Sequence, residues 1–134
     1  MLKGRGRFDD YLAKIGFKQR FYRENCVADY QEMVKRMISK PEPDFVWFRC
    51  VTPSFDNSAR KSKGAVVLHD STPEKYEAWL REVIRREHKK THSIERIVFI
   101  NAWNEWGEGN HLEPDLKWKK AYLEATAEAI NGNK

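Results

Sequence analysis

From Val27 to Ser39 the apolar positions Val27, Tyr30, Met33, Val34, Met37 and Ile38 recur at intervals of mostly three and four, the period of one helix face. The prolines of KPEP, Lys40–Pro43, are predicted to end that helix. The pattern then changes. DFVWFRCV, Asp44–Val51, is a nearly unbroken apolar, β-favouring run of strand length, and it predicts a buried strand. A loop, TPSFDNSARKSKG (52–64), follows, and Ala65–Leu68 predicts only a minor strand. The next helix carries its own start signal, with Ser71 or Thr72 as cap, Pro73 in the first turn and Glu74 at the positive end. Its apolar face is Tyr76, Trp79, Leu80, Val83 and Ile84. ERIVFINAW, Glu95–Trp103, predicts a second buried strand. A last helix is expected from about Lys117 to Ile130, closed by Gly132 and burying Tyr122, Leu123, Thr126, Ala129 and Ile130.

Helix and strand alternate, which argues for an α/β fold with parallel strands and crossover helices. Two main strands do not make a self-sufficient parallel sheet, because each needs both faces and both edges covered. A whole (β/α)8 barrel takes roughly 250 residues. The candidates are a small three-layer domain and the C-terminal part of a TIM-like (β/α)8 barrel. Both strands run into loops rich in Asp, Asn, Glu and aromatic residues, as active-site loops at a barrel's C-terminal face do. The expectation is therefore an incomplete barrel of about two to three β/α units. Residues 1–134 would form one partial domain, with a leading helical region at 1–43, β/α units at 44–134 and an acidic site loop at 101–115.

Composition narrows the class. The chain is 40% hydrophobic and 34% charged, with seven glycines and five prolines, which excludes a disordered or fibrous chain. No apolar run approaches a membrane span, and MLKGRGRFDDYL has no apolar stretch behind its basic residues to make a secretory signal. Cys26 and Cys50 form no C-x-x-C pair, so two reduced thiols in a cytoplasmic protein are expected. The net charge of +5 invites a nucleic-acid reading. The basic residues, however, are interleaved with 20 acidic ones, and the densest cluster, RREHKK (85–90), complements the dipole at a helix C-terminus. No nucleic-acid partner is expected.

The segment NAWNEWGEGNHLEPD, Asn101–Asp115, is where chemistry could lie. In an extended strand Glu105 and Glu108 would point to opposite faces, whereas in a turn they converge, and Gly107 and Gly109 make a turn easy. Convergence between Trp103 and Trp106 would exclude water and favour one protonated and one ionised carboxyl group, the pair that glycosidic-bond chemistry uses. Spacing alone leaves helix capping and catalysis both open for these two glutamates. Glu113 and Asp115 fit capping of the last helix better, and Trp103 fits the core better than the site. In TPSFDNSAR, Asp56, Asn57 and Arg60 could bond sugar hydroxyls or an anionic group, but an Asx turn at Asp56–Asn57 with Arg60 pairing an acid is the better reading of these residues alone. Metal readings are weak. Glu108–His111 sits among glycines, and His88 and His92 lack the H-E-x-x-H order. No metal and no cofactor are expected.

The chain also resembles a known family. NEWGEG (104–109), the acidic-proline step Glu113–Asp115 and Tyr122–Leu123 in the closing helix are similar to the signature of WbsX-type, glycoside-hydrolase-family-99-like proteins. PSFDNSAR (53–60) and STPEKYEAWL (71–80) resemble that family's Pro-x-Trp/Phe-Asp-Asn-x-x-Arg loop and its Thr-Pro-Glu helix start, in the same order. The likeness runs from about Asp44 to the C-terminus. It implies a barrel protein acting on bacterial surface polysaccharide or lipopolysaccharide by hydrolysis or transfer, with a glycan, nucleotide-sugar or lipid-linked sugar as substrate. It implies that Glu108 is the general acid/base and that Glu105 draws a proton from the sugar 2-hydroxyl, which then attacks the anomeric carbon. Substrate binding would fall to Trp106, Asn104, His111, Asp56, Asn57 and Arg60. The related mannosidases carry a histidine where this chain has Gly107. A barrel piece would expose strand edges, so self-association or a complementing barrel segment is expected, and the piece could be inactive alone. A non-catalytic carbohydrate-binding or structural α/β protein is the alternative, with a basic nucleic-acid-binding module below it.

Overall fold

The computed structural model describes residues 17–61, 63–89 and 96–132. A short helix, α1 (Phe17–Glu24), leads into strand β1 (Cys26–Asp29). Helix α2 (Tyr30–Ser39) therefore begins three residues later than periodicity predicts. Asp29 is the reason. Its carboxylate accepts the Glu32 N–H at 2.9 Å and caps the helix, while the residues before it pair with a neighbouring strand.

That neighbour is β4 (Val66–His69), which lies parallel to β1 in the register Cys26↔Val66 to Asp29↔His69. On its other side β4 pairs antiparallel with β3 (Phe55–Asp56). The segment expected as a minor strand is thus the centre of a three-stranded sheet in the order β1-β4-β3. A second sheet joins β2 (Arg49–Val51) and β5 (Val98–Ile100) in parallel, extended by the Asn101 N–H to the Val51 carbonyl at 2.9 Å. The connection between these two strands passes through α3 (Pro73–Glu87), the crossover that alternation predicts.

Helix α3 starts as its sequence signals. Thr72, not Ser71, accepts the Lys75 N–H, and Pro73 follows at the first position. Its apolar face packs on α4 (Ala121–Asn131), whose Ala125 and Ala129 allow close approach. Tyr76 and Tyr122 meet edge-on at 5.7 Å, and the Tyr76 hydroxyl lies 3.1 Å from that of Thr126. Tyr30 joins this core edge-on to Trp79 and donates to the Thr52 carbonyl at 2.6 Å. The Arg49 guanidinium, 5% exposed, reaches from β2 to Glu87 on α3 at 3.0 Å and to Glu42 at 2.6 Å.

Three expectations need correction. Of the run Asp44–Val51 only the last three residues are strand, and Phe45 and Val46 stand exposed. The two strands of the second sheet are covered on one face only. Arg49 and Val51 face α3, while Phe48, Cys50 and Phe99 lie on the open side, with Phe48 and Phe99 edge-on at 6.0 Å. An unbroken apolar run cannot report which of its faces finds a partner. The last helix begins at Ala121 rather than near Lys117, because Lys119 adopts a left-handed φ of 52° that an α-helix cannot contain, and Ile130 points outward. Among the described residues no helix is long and apolar enough to cross a membrane.

Candidate functional site

Behind β5 the acidic loop folds back on itself as a hairpin. Strands β6 (Asn104–Glu105) and β7 (Asn110–His111) pair antiparallel, Asn104 opposite His111 and Glu105 opposite Asn110. Trp106–Glu108 between them form one turn of 3-10 helix, and Gly109 closes it at φ 54° with its N–H on the Trp106 carbonyl at 3.0 Å. A side chain at Gly109 would suffer that left-handed conformation and would also touch Asp56 at 3.4 Å.

The hairpin is tied to the sheet by a residue that sequence reasoning missed. Asn110 is 0% exposed. Its Oδ1 accepts the Ala102 N–H at 3.1 Å and lies 2.9 Å from the Thr52 hydroxyl at the end of β2. That hydroxyl has a second acceptor in the Ser54 carbonyl at 2.8 Å, and its single hydrogen serves one at a time. Ser54 in turn donates to the Gly109 carbonyl. The available signal was an amide directly after the left-handed glycine of a hairpin.

The two glutamates sit at the hairpin's tip. Glu105 is exposed on β6, and Glu108 ends the turn. The Glu108 carboxylate lies 3.4 Å from an Arg60 guanidinium nitrogen. The Arg60 stem passes 3.2 Å from where a Cβ on Gly107 would stand, so the glycine leaves room that this arginine occupies. A Cβ at position 107 would require the Arg60 stem to shift by a few tenths of an ångström. Both halves of the bland reading of TPSFDNSAR hold. The Asp56 carboxylate accepts the Ser58 N–H at 2.9 Å in an Asx turn, and Arg60 pairs an acid. Asn57 is buried, and its Oδ1 takes the Val66 N–H at 2.8 Å, fastening the loop to β4.

Beside the hairpin lies a cavity of about 540 Å³. Of the candidate catalytic and substrate-binding residues, Trp106, His111 and Asp56 line it. Glu105, Glu108, Asn104, Asn57 and Arg60 are not among its lining residues. Trp106 stacks on His111, ring centres 3.8 Å apart and planes 19° from parallel. Its indole N–H donates to Glu113 at 2.6 Å. His111 Nε2 lies 2.9 Å from Asp115, which also accepts the Trp118 N–H. Burial is the largest single influence on the Asp115 carboxyl and pushes its pKa up. The bonds from Trp118, His111 and the Lys117 backbone together outweigh it and hold the pKa below the usual carboxylate value.

Glu113 and Asp115 were expected to cap the last helix. Asp115 caps the turn at 115–119 instead, ahead of the helix, and Glu113 holds a tryptophan ring. Trp103, expected in the core, is 52% exposed, and its carbonyl anchors the Leu112 and Glu113 N–H groups. Among the described residues no group of three or more His, Cys, Asp or Glu could hold a metal ion. His88 ends α3, and His92 lies outside the described residues.

Comparison with known proteins adds a family signal to this geometry. The family model for glycosyltransferase WbsX matches residues 6–126. The chain is also similar to the uncharacterized protein WxcX of Xanthomonas campestris pv. campestris, with 41% identity over 105 residues, 78% of this chain, in each of two strains. The matched stretch spans 15% of the length of those relatives. No solved structure matches.

Proposed function

The chain belongs to the WbsX glycosyltransferase family, and on that premise we propose that it is the C-terminal part of a (β/α)8 glycan-processing barrel. Its hairpin loop would act on glycosidic bonds of bacterial surface polysaccharide or lipopolysaccharide. The observation that carries this reading is the position of the loop. The motif Asn104–Gly109 follows a parallel strand and folds into a hairpin, with Glu105 at the end of one hairpin strand and Glu108 in the turn next to it. In this reading Glu105 takes the proton of the substrate 2-hydroxyl, whose oxygen attacks the anomeric carbon. Glu108 gives its proton to the leaving oxygen, then accepts one from water or an acceptor sugar.

The open side of the β2–β5 pair supports the partial-barrel reading. Phe48, Cys50 and Phe99 present an apolar surface on a parallel pair that takes no third strand among the described residues, which suits further barrel elements from a complementing segment or a second copy. Residues 1–134 then form one partial domain. The substrate is a glycan, nucleotide-sugar or lipid-linked sugar.

The decisive experiment is release or transfer of sugar from surface polysaccharide, by this chain alone and together with the remainder of a barrel. Turnover abolished by Glu108→Gln in a protein that stays folded supports the enzyme. Turnover that survives the substitution overturns it. A second reading is favoured by the cavity, which is lined by Trp106 and His111 and by neither glutamate. It is carbohydrate binding without turnover, and saturable glycan binding by an inactive chain would select it.

A further inference from the structure

Trp106 combines two properties that seldom occur together on a hairpin tip: it is 49% exposed, and it is held from several sides. The His111 imidazole covers one face of its ring, and Glu113 takes its indole N–H. His111 is fixed in turn by Asp115, and Asp115 by the Trp118 N–H. The side chains of His111 and Asp115 are only 14% and 13% exposed, so this support is a packed structure. The buried Nδ1 of His111 has no hydrogen-bond partner among the described residues. A bare nitrogen is easier to bury than an unpaired N–H, which puts the ring hydrogen on Nε2, facing Asp115.

Such a network leaves half of the tryptophan in solvent, so it does little for burial. What it does is remove the ring's rotational freedom. A side chain that is ordered before a ligand arrives loses no conformational entropy when the ligand binds. The ring borders a cavity of about 540 Å³, within the usual range of small-ligand sites of roughly 300–1,000 Å³. Its other walls mix the apolar Phe55 and Leu68 with the polar Ser71 and the oppositely charged Asp56 and Lys117. That mixture suits a ligand with a flat C–H face and a hydroxyl-bearing edge.

We propose that Trp106 is a preorganised stacking platform for an uncharged pyranose ring, and that His111, Asp115 and Glu113 are its positioning residues. The ligand class rests on the glycan reading above. The clamp rests on geometry alone and does not involve Glu105 or Glu108. All of its members lie within residues 106–118, so it assembles with the hairpin itself.

The test follows the indole N–H signals of ¹⁵N-tryptophan-labelled protein during titration with methyl pyranosides of glucose, galactose, mannose and N-acetylglucosamine. Trp106→Phe assigns the Trp106 signal, and the other four of the five tryptophans report whether each variant stays folded. The expected result is a saturable shift of the Trp106 signal. His111→Ala and Glu113→Ala should each weaken binding by about three- to tenfold, the loss of one immobilised side chain. His111→Phe keeps a stacked ring and should recover most of the affinity. If His111→Ala unfolds the hairpin, Glu113→Ala and His111→Phe decide instead. Unchanged affinity in the alanine variants, with the Trp106 signal still responding, overturns the clamp. No response of Trp106 to any of the four glycosides overturns the platform. Either failure leaves the catalytic reading to its own test at Glu108.

Discussion

Replacing Asn110 with alanine probes the attachment of the whole site to its scaffold. The carboxamide is completely buried and holds two groups from different parts of the chain, the Ala102 N–H at 3.1 Å and the Thr52 hydroxyl at 2.9 Å. A net intramolecular hydrogen bond is worth about 1 kcal/mol, and a buried donor left without a partner costs about 1–3 kcal/mol. The Thr52 hydroxyl can turn to the Ser54 carbonyl, so its loss is largely offset. The Ala102 N–H has no such alternative among the contacts described here. The amide's own Nδ2 is buried without a hydrogen-bond partner among the described residues, and its removal offsets part of this, so Asn110→Ala should cost about 1–3 kcal/mol, a large fraction of an ordinary domain stability of about 5–15 kcal/mol. The assay is urea unfolding followed by tryptophan emission, with Thr52→Val as a companion at about 1 kcal/mol or less. The double variant should lose less than the two single losses combined, because one contact is shared. A loss below about 0.5 kcal/mol for Asn110→Ala, the range of an unremarkable surface substitution, would refute the argument that this amide anchors the hairpin.

Other consequences can be checked separately. Glu87→Leu removes the α3 partner of the buried Arg49 guanidinium while Glu42 still pairs it, and should cost about 1–3 kcal/mol in chemical denaturation, whereas Arg49→Leu with Glu87→Leu should recover part of that loss. Hydrogen bonds from Arg85 and then Arg86 hold the Glu82 carboxyl at about 2, below its ordinary 4.5. Its contribution is therefore complete above about pH 4.5 and lost as pH falls through 2. Glu82→Gln should lower stability at pH 6 by up to about 1 kcal/mol, with the difference from the parent shrinking as pH falls through 2. Phe48→Ser with Phe99→Ser should reduce self-association in analytical ultracentrifugation and barely change the unfolding midpoint, since both rings lie on the open face; undiminished association would place the contact elsewhere. Gly109→Ala should cost about 1 kcal/mol for the left-handed backbone, and a neutral result in thermal unfolding would mean that the turn relaxes.

How much of this was legible in the chain depends on the range of the interaction. Thr72 and Pro73 open α3, the Asx turn forms at Asp56, and Gly109 closes the hairpin, because capping and turn chemistry act within a few residues. The NEWGEG loop and the motifs around it pointed to the WbsX family, which the match over residues 6–126 bears out. The parallel relation of β2 and β5, connected through α3, followed from the alternation of helix and strand.

Other features depended on partners distant in sequence. Val27–Asp29 reads as helix until β4 is placed beside it, and β4 reads as marginal until β1 and β3 flank it, because a four-residue strand owes its existence to its neighbours. Whether Trp103 and Phe99 are buried is decided by what covers a sheet face, which an apolar run does not encode. The ring clamp on Trp106 was hidden for the same reason. Glu113 and Asp115 look like helix caps until the hairpin carries one to an indole and the other to an imidazole. The amino-acid sequence by itself determined the family, the crossover helices and the acidic turn. Only the tertiary structure decided which carboxylates meet which partners, because convergence across a folded loop is a property of geometry and not of spacing.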